Sequence, residues 1–127
     1  MKVLALDYGR ARTGVAVSDP TGTIARPVGV VEAADVAQIV ELIRQHGVDR
    51  VVVGMPLTLR GTHGEQARET QEFIESLSAV AEIPVVPFDE RFTTDLAEQT
   101  AAASTEQDAH AAAHLLSSYL TWANARR

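Results

Sequence analysis

Lys2-Val3-Leu4-Ala5-Leu6-Asp7, then Tyr8-Gly9-Arg10-Ala11-Arg12, then Thr13-Gly14-Val15-Ala16-Val17-Ser18-Asp19, is the stretch that decides the fold. Residues 2–7 are apolar apart from Lys2 and end on a carboxylate, the pattern of a buried strand with a polar group at its C-terminal end. Residues 8–12 read as a turn and 13–19 as a second strand, closed by Pro20-Thr21-Gly22. So short a connection joins antiparallel neighbours. Residues 24–31 read as a third strand extending the meander.

Beyond this meander the period changes. Ala37, Val40, Ile43 and Arg44, with Ile39 and Leu42 beside them, predict an amphipathic helix over 34–46, stopped by Gly47. Residues 48–54 (VDRVVVG) read as a central strand, apolar on both faces as a covered sheet requires. A loop with Pro56, Gly61 and Gly64 follows. A long helix is expected over 65–81, with Ala67, Thr70, Phe73, Ile74 and Leu77 inward. Residues 84–89 (PVVPFD) read as a short or edge strand because of the two prolines. Helices over 94–103 and 107–125 complete the chain. The order β-β-β-α-β-α-β-α-α implies an α/β fold with a mixed five-stranded sheet, antiparallel through the first three strands and parallel thereafter, flanked by helices. Right-handed crossovers then gather the strand ends at Asp7, Gly54 and Asp89 on one edge, where open α/β sheets bind ligands.

Composition narrows the classes. The 127 residues suit one domain over residues 1–127, and the 46% apolar content supports a core and excludes disorder. No apolar run reaches the roughly 20 residues of a membrane helix. No leader with a small-residue cleavage site follows Lys2. The expectation is a cytoplasmic protein with no membrane partner. Cys is absent, which excludes thiolate metal sites, haem attachment and redox dithiols. The net charge of −6 is unlike that of a passive nucleic-acid binder. A metal-dependent nuclease tolerates it, because bound cations invert the field of a carboxylate cluster. Of the 11 Lys and Arg, Lys2 is the only lysine. Arginine's planar fork suits phosphate, although genome composition alone would give the same bias.

Three acidic positions stand out. Asp7 ends the first strand, Asp89-Glu90 end the last and lead into Arg91-Phe92-Thr93-Thr94, and Asp108 opens the final helix. Ala109, Ala111, Ala112 and Ala113 let that helix approach the sheet closely. Carboxylates converging there repel one another unless cations lie between them, and hard oxygen donors suit Mg²⁺ or Mn²⁺. Two such ions can activate a water and stabilise the leaving oxygen of a phosphodiester. Each acid also has a plainer reading. Asp7 could be a turn former and Asp89 a helix N-cap. Thr105-Glu106-Gln107-Asp108 matches a capping box with Asp108 in the first turn. His110 and His114 have the i, i+4 spacing of a zinc pair, but Ala111-Ala112-Ala113 between them lacks a metalloprotease glutamate, so a partly exposed helix face is expected. Phe73, Tyr119 and Trp122 are expected in the core or at a dimer contact, and Tyr8 either stacks on a base or packs on the sheet.

At this point a resemblance can be stated. Asp7-Tyr8-Gly9 with Arg12-Thr13-Gly14-Val15-Ala16-Val17-Ser18-Asp19 resembles the opening signature of the YqgF family, also called RuvX. Val53-Gly54-Met55-Pro56-Leu57 with Gly61 and Gly64, then Asp89-Glu90-Arg91-Phe92-Thr93-Thr94, then Asp108-Ala109-His110-Ala111-Ala112 with Leu115-Leu116 and Tyr119-Leu120, resemble its later blocks in order. The family is described as Holliday junction resolvases and as pre-16S rRNA nucleases. The resemblance implies an RNase H-like fold and a metal-dependent nuclease. Asp7, Glu90 and Asp108 would be the catalytic and metal-binding carboxylates, with Asp89 the alternative to Glu90. Asp7 would bridge two Mg²⁺ or Mn²⁺ ions, and Glu90 and Asp108 would complete their shells and orient the attacking water. Arg10, Arg12 and Arg91 would contact phosphates, Tyr8 would stack, and Gly9 would allow close backbone approach to nucleic acid. For each arginine the alternative is a surface charge or a salt bridge, and for Gly9 an ordinary turn.

The resemblance implies pre-rRNA as substrate, with branched or single-stranded DNA as alternatives, acted on by a monomer or homodimer. One departure is visible. Family members carry a longer, often basic segment before the final helix, whereas Ala101-Ala102-Ala103-Ser104-Thr105 holds no Lys or Arg. Two rivals remain at this level. One is a nucleotide-binding domain of the actin and sugar-kinase type, which needs two such domains to close over ATP. The other is a non-catalytic RNase H-like nucleic-acid-binding module.

Overall fold

The computed structural model describes residues 1–56, 64–89 and 105–126. Within them lie β1 (Val3–Asp7), β2 (Arg12–Ser18), β3 (Ala25–Glu32), α1 (Val36–His46), β4 (Arg50–Met55), α2 (Glu65–Val80), β5 (Val85–Asp89) and α3 (Thr105–Asn124). The strands form one sheet in the order β3-β2-β1-β4-β5. β1 pairs antiparallel with β2, and β2 with β3. β1 and β5 each run parallel to β4. This is the mixed sheet expected from the sequence, and β5, with Pro87 inside it, is an edge strand. The helix expected over 94–103 lies outside the described residues.

Alternation along the strands divides the core in two. Leu4, Leu6, Val15, Val17, Val51 and Val53 pack against α1 and α2 on one face. Val3, Ala5, Ala16, Val52 and Phe88 pack against Ala112, Leu115, Leu116 and Tyr119 of α3 on the other. The apolar run of β4 is explained by this double burial, since Val51, Val52 and Val53 have no exposure at all. The inward face of α2 (Ala67, Thr70, Phe73, Ile74 and Leu77) is the one its spacing predicts.

α1 departs from expectation in two ways. It starts at Val36 rather than near Ala34, because the Asp35 carboxylate accepts from the amides of Ala37 and Gln38 and caps the helix. Ala33 and Ala34 before it adopt left-handed φ of 54° and 50°, outside any helix. The helix also presents Ile39 and Ile43 inward with Val36, Val40 and Leu42 beside them, while Ala37 is exposed. Gly47 ends it in the left-handed conformation at φ 61°.

Candidate active site

Because Val3 and Ala5 face α3, the alternation of β1 sends Asp7 to the same face, at the C-terminal edge of the parallel strands. Asp7 lies in register with Gly14 of β2. A Cβ on Gly14 would sit 2.0 Å from the carbonyl oxygen of Asp108 and 2.6 Å from its carbon. Only glycine lets the first turn of α3 settle onto the hairpin at this point, and that contact carries Asp108 to Asp7. The sequence pattern places Gly14 in a strand without showing this role, which emerges only when α3 is laid across β2.

The two acids sense one another. The Asp7 carboxyl is pushed up from 3.8 to about 6, first by burial and then by the charge of Asp108. Asp108 accepts from Arg12 Nε at 2.9 Å, with 31% of the Arg12 side chain and 23% of the Asp108 side chain exposed. Arg12, two residues before Gly14 on β2, shares its face. Arg12 thus makes an ion pair within the chain, the alternative that its sequence reading left open.

The turn between β1 and β2 fans the remaining candidates toward α2. Arg10 Nε donates to both carboxylate oxygens of Glu69, at 3.0 and 2.8 Å, and its Nη2 donates to Oε1. Tyr8 stacks on Phe73 with ring centroids 4.8 Å apart and packs against the α1/α2 side of the core. Gly9 closes the turn, since a Cβ there would meet the Arg12 carbonyl oxygen at 2.5 Å. Tyr8, Gly9 and Arg10 line a cleft of about 360 Å³ with Glu65, Gln66 and Glu69.

β5 separates Asp89 from this centre. Asp89 pairs with Met55, whose side chain lies in the core beneath α1 and α2, while the preceding Phe88 faces α3. Strand alternation therefore puts Asp89 on the face opposite Asp7. Glu90 and Arg91 lie outside the described residues. His110 is exposed on α3. Among the described residues no group of three His, Cys, Asp or Glu gathers to hold a metal. What they bring together is the Asp7–Asp108 pair. Its donors are carboxylate oxygens, and burial, followed by the charge of Asp108, holds a proton on Asp7 well above the usual range. That chemistry fits a hard divalent cation.

A family model described as RuvX: Holliday junction resolvase matches residues 1–122. The chain belongs to the RuvX family. Its RuvX relatives include a protein of Chloroflexus aggregans named "Putative pre-16S rRNA nuclease", 48% identical over 101 residues that cover 76% of this chain and 71% of that one. A protein of the same name from a Sulfurihydrogenibium species is 44% identical over 103 residues, covering 78% and 71%. Among solved structures, T. thermophilus RuvC in complex with Holliday junction substrate superposes with a TM-score of 0.63 at 16% identity, covering 97% of this chain and 96% of that one. The likeness to RuvC shows the shared RNase H-like fold. RuvX is a family of nucleases, hydrolases of phosphodiester bonds. Among the described residues no helix is long and apolar enough to cross a membrane.

Proposed function

We propose that this chain is a metal-dependent nuclease that hydrolyses phosphodiester bonds in 5′-end maturation of pre-16S rRNA, acting in the cytoplasm as one domain. The observation that carries the chemistry is the Asp7–Asp108 pair, two carboxyls brought together at the strand ends with one of them raised to about 6. The names of relatives up to 48% identical support rRNA as the substrate class.

Asp7, at the end of the central strand β1, would be the principal carboxylate holding the metal. Asp108 approaches from α3 across Gly14. The strand parity that turns Asp89 away leaves Glu90 as the third carboxylate in this reading. Asp7, Asp108 and Glu90 would hold Mg²⁺ or Mn²⁺, which when bound would supply the charge for activating water and stabilising the leaving oxygen. The chain's own part is to hold Asp7 and Asp108 together at one edge and to keep them partly dry. It also offers Arg10, Arg12 and Arg91 to the phosphates of the strand, with Tyr8 and Gly9 in the turn beside them. For Arg10 and Arg12 this means exchanging Glu69 and Asp108 for phosphate oxygens of similar geometry.

The family model's description, Holliday junction resolvase, favours branched DNA as a second substrate; in that reading a homodimer would cut it in recombination or repair. A cleavage panel separates the two. RNA carrying the 5′ flank of 16S rRNA, single-stranded DNA and a four-way junction are incubated with Mn²⁺ or Mg²⁺. Cleavage of the RNA supports the proposal, and cleavage of the junction alone moves the assignment to resolution. No cleavage of any substrate supports a non-catalytic module.

A further inference from the structure

Arg12 occupies a position suited to a cation. Its Nε donates to Oδ2 of Asp108 at 2.9 Å. Gly14, two residues further along the same face of β2, lies beneath the Asp108 carbonyl and opposite Asp7. One guanidinium thus stands beside the Asp108 carboxylate, on the strand that carries Gly14 opposite Asp7. With 31% of its side chain exposed, it is neither sealed in the core nor loose in solvent. Arg10, two residues earlier, is 75% exposed and engaged with Glu69 on the α2 side, away from this acid pair.

A guanidinium is charged at every working pH and offers donors only. It competes with a divalent cation for the lone pairs of Oδ2, and the two positive charges repel at that range. From this geometry we infer that Arg12 is a positioning residue that holds the metal's place, orienting Asp108 without metal and leaving it on loading to turn its fork to a phosphate of the nucleic-acid strand. An arginine committed to Asp108 is unavailable to phosphate, so metal loading creates the phosphate contact. The coupling is reciprocal, because a phosphate that draws Arg12 away leaves Asp108 a better ligand. This inference rests on the metal-centre reading above.

Two measurements test it. Mn²⁺ is titrated calorimetrically into the parent, Arg12→Gln and Asp7→Asn proteins at pH 7.5. Loss of the competing charged hydrogen bond makes Arg12→Gln bind Mn²⁺ about tenfold more tightly than the parent. In the parent, the Arg12 Nε–H resonance is identified by its absence from Arg12→Lys. It shows slow, salt-bridged exchange without metal and fast exchange at saturating Mg²⁺. Equal or weaker Mn²⁺ affinity in Arg12→Gln, or a resonance indifferent to Mg²⁺, overturns the inference and makes Arg12 a permanent support of Asp108. If Arg12→Gln does not fold, the resonance in the parent decides alone. Failure of the metal centre itself looks different: the parent takes up no Mn²⁺, or Asp7→Asn binds it as the parent does, and both readings fall.

Discussion

Replacing Asp7 with Asn removes a charge that the folded chain holds unfavourably. The unfolded chain releases the Asp7 proton near pH 3.8 and the folded chain near 6. Between those values the folded state binds more protons than the unfolded state, so Asp7 makes stability fall as pH rises. The full penalty is present above pH 6. At about 1.4 kcal/mol for each pH unit, the rise from 3.8 to about 6 corresponds to about 3 kcal/mol. A half-satisfied asparagine amide returns about 1 kcal/mol of that. Asp7→Asn is therefore expected to stabilise the metal-free protein at pH 7.5 by about 2 kcal/mol, or roughly 8 °C in Tm for a domain of this size. Urea unfolding in EDTA across pH 4 to 8 checks the magnitude and its direction. The gain should shrink toward pH 4, where the folded state carries a neutral Asp7 and the unfolded state is close to its own midpoint of 3.8. A variant no more stable than the parent at pH 7.5, or a gain that does not change with pH, would refute the electrostatic account of the pair.

Other consequences are equally direct. Mn²⁺ at 100 times its Kd should stabilise the parent at pH 7.5 by about 2.7 kcal/mol and leave Asp7→Asn unmoved, as read by thermal melts. Gly14→Ala drives a methyl group into the Asp108 carbonyl; it should destabilise by at least 1–3 kcal/mol in urea, as overpacking does, and weaken Mn²⁺ binding by lifting α3 off the hairpin. Glu69→Gln breaks an exposed ion pair, so Tm should not change, but freeing Arg10 should tighten RNA binding at low salt with a steeper salt dependence in filter binding. Leu116→Ala opens a cavity where α3 meets the sheet, and unfolding should show a loss of about 2–5 kcal/mol.

The sheet and α2 could be read from the chain because their signals are local and periodic. Double burial makes Val51, Val52 and Val53 a continuous apolar run, and the spacing of Ala67, Thr70, Phe73, Ile74 and Leu77 is that of one helix face. The start of α1 was harder to read, since nothing in Ala33-Ala34 announces a left-handed backbone, and its true cap is the Asp35 side chain. At the site, the types of residue were legible and their partners were not. Arg10 and Arg12 sit beside Asp7 in sequence, yet their counter-ions, Glu69 and Asp108, come from distant helices. The face on which Asp89 lies follows from its pairing with Met55, which composition does not reveal. Gly14 reads as an ordinary strand glycine until α3 lies over it.

The central claim is that Asp7 and Asp108 form the core of a metal centre that cuts phosphodiesters. Its most direct test is cleavage of RNA carrying the 5′ flank of 16S rRNA, with Mn²⁺, by the parent and by Asp7→Asn side by side. The expected result is Mn²⁺-dependent cleavage by the parent, abolished by EDTA, and none by the folded Asp7→Asn variant. Asp7→Asn cutting as fast as the parent would contradict it.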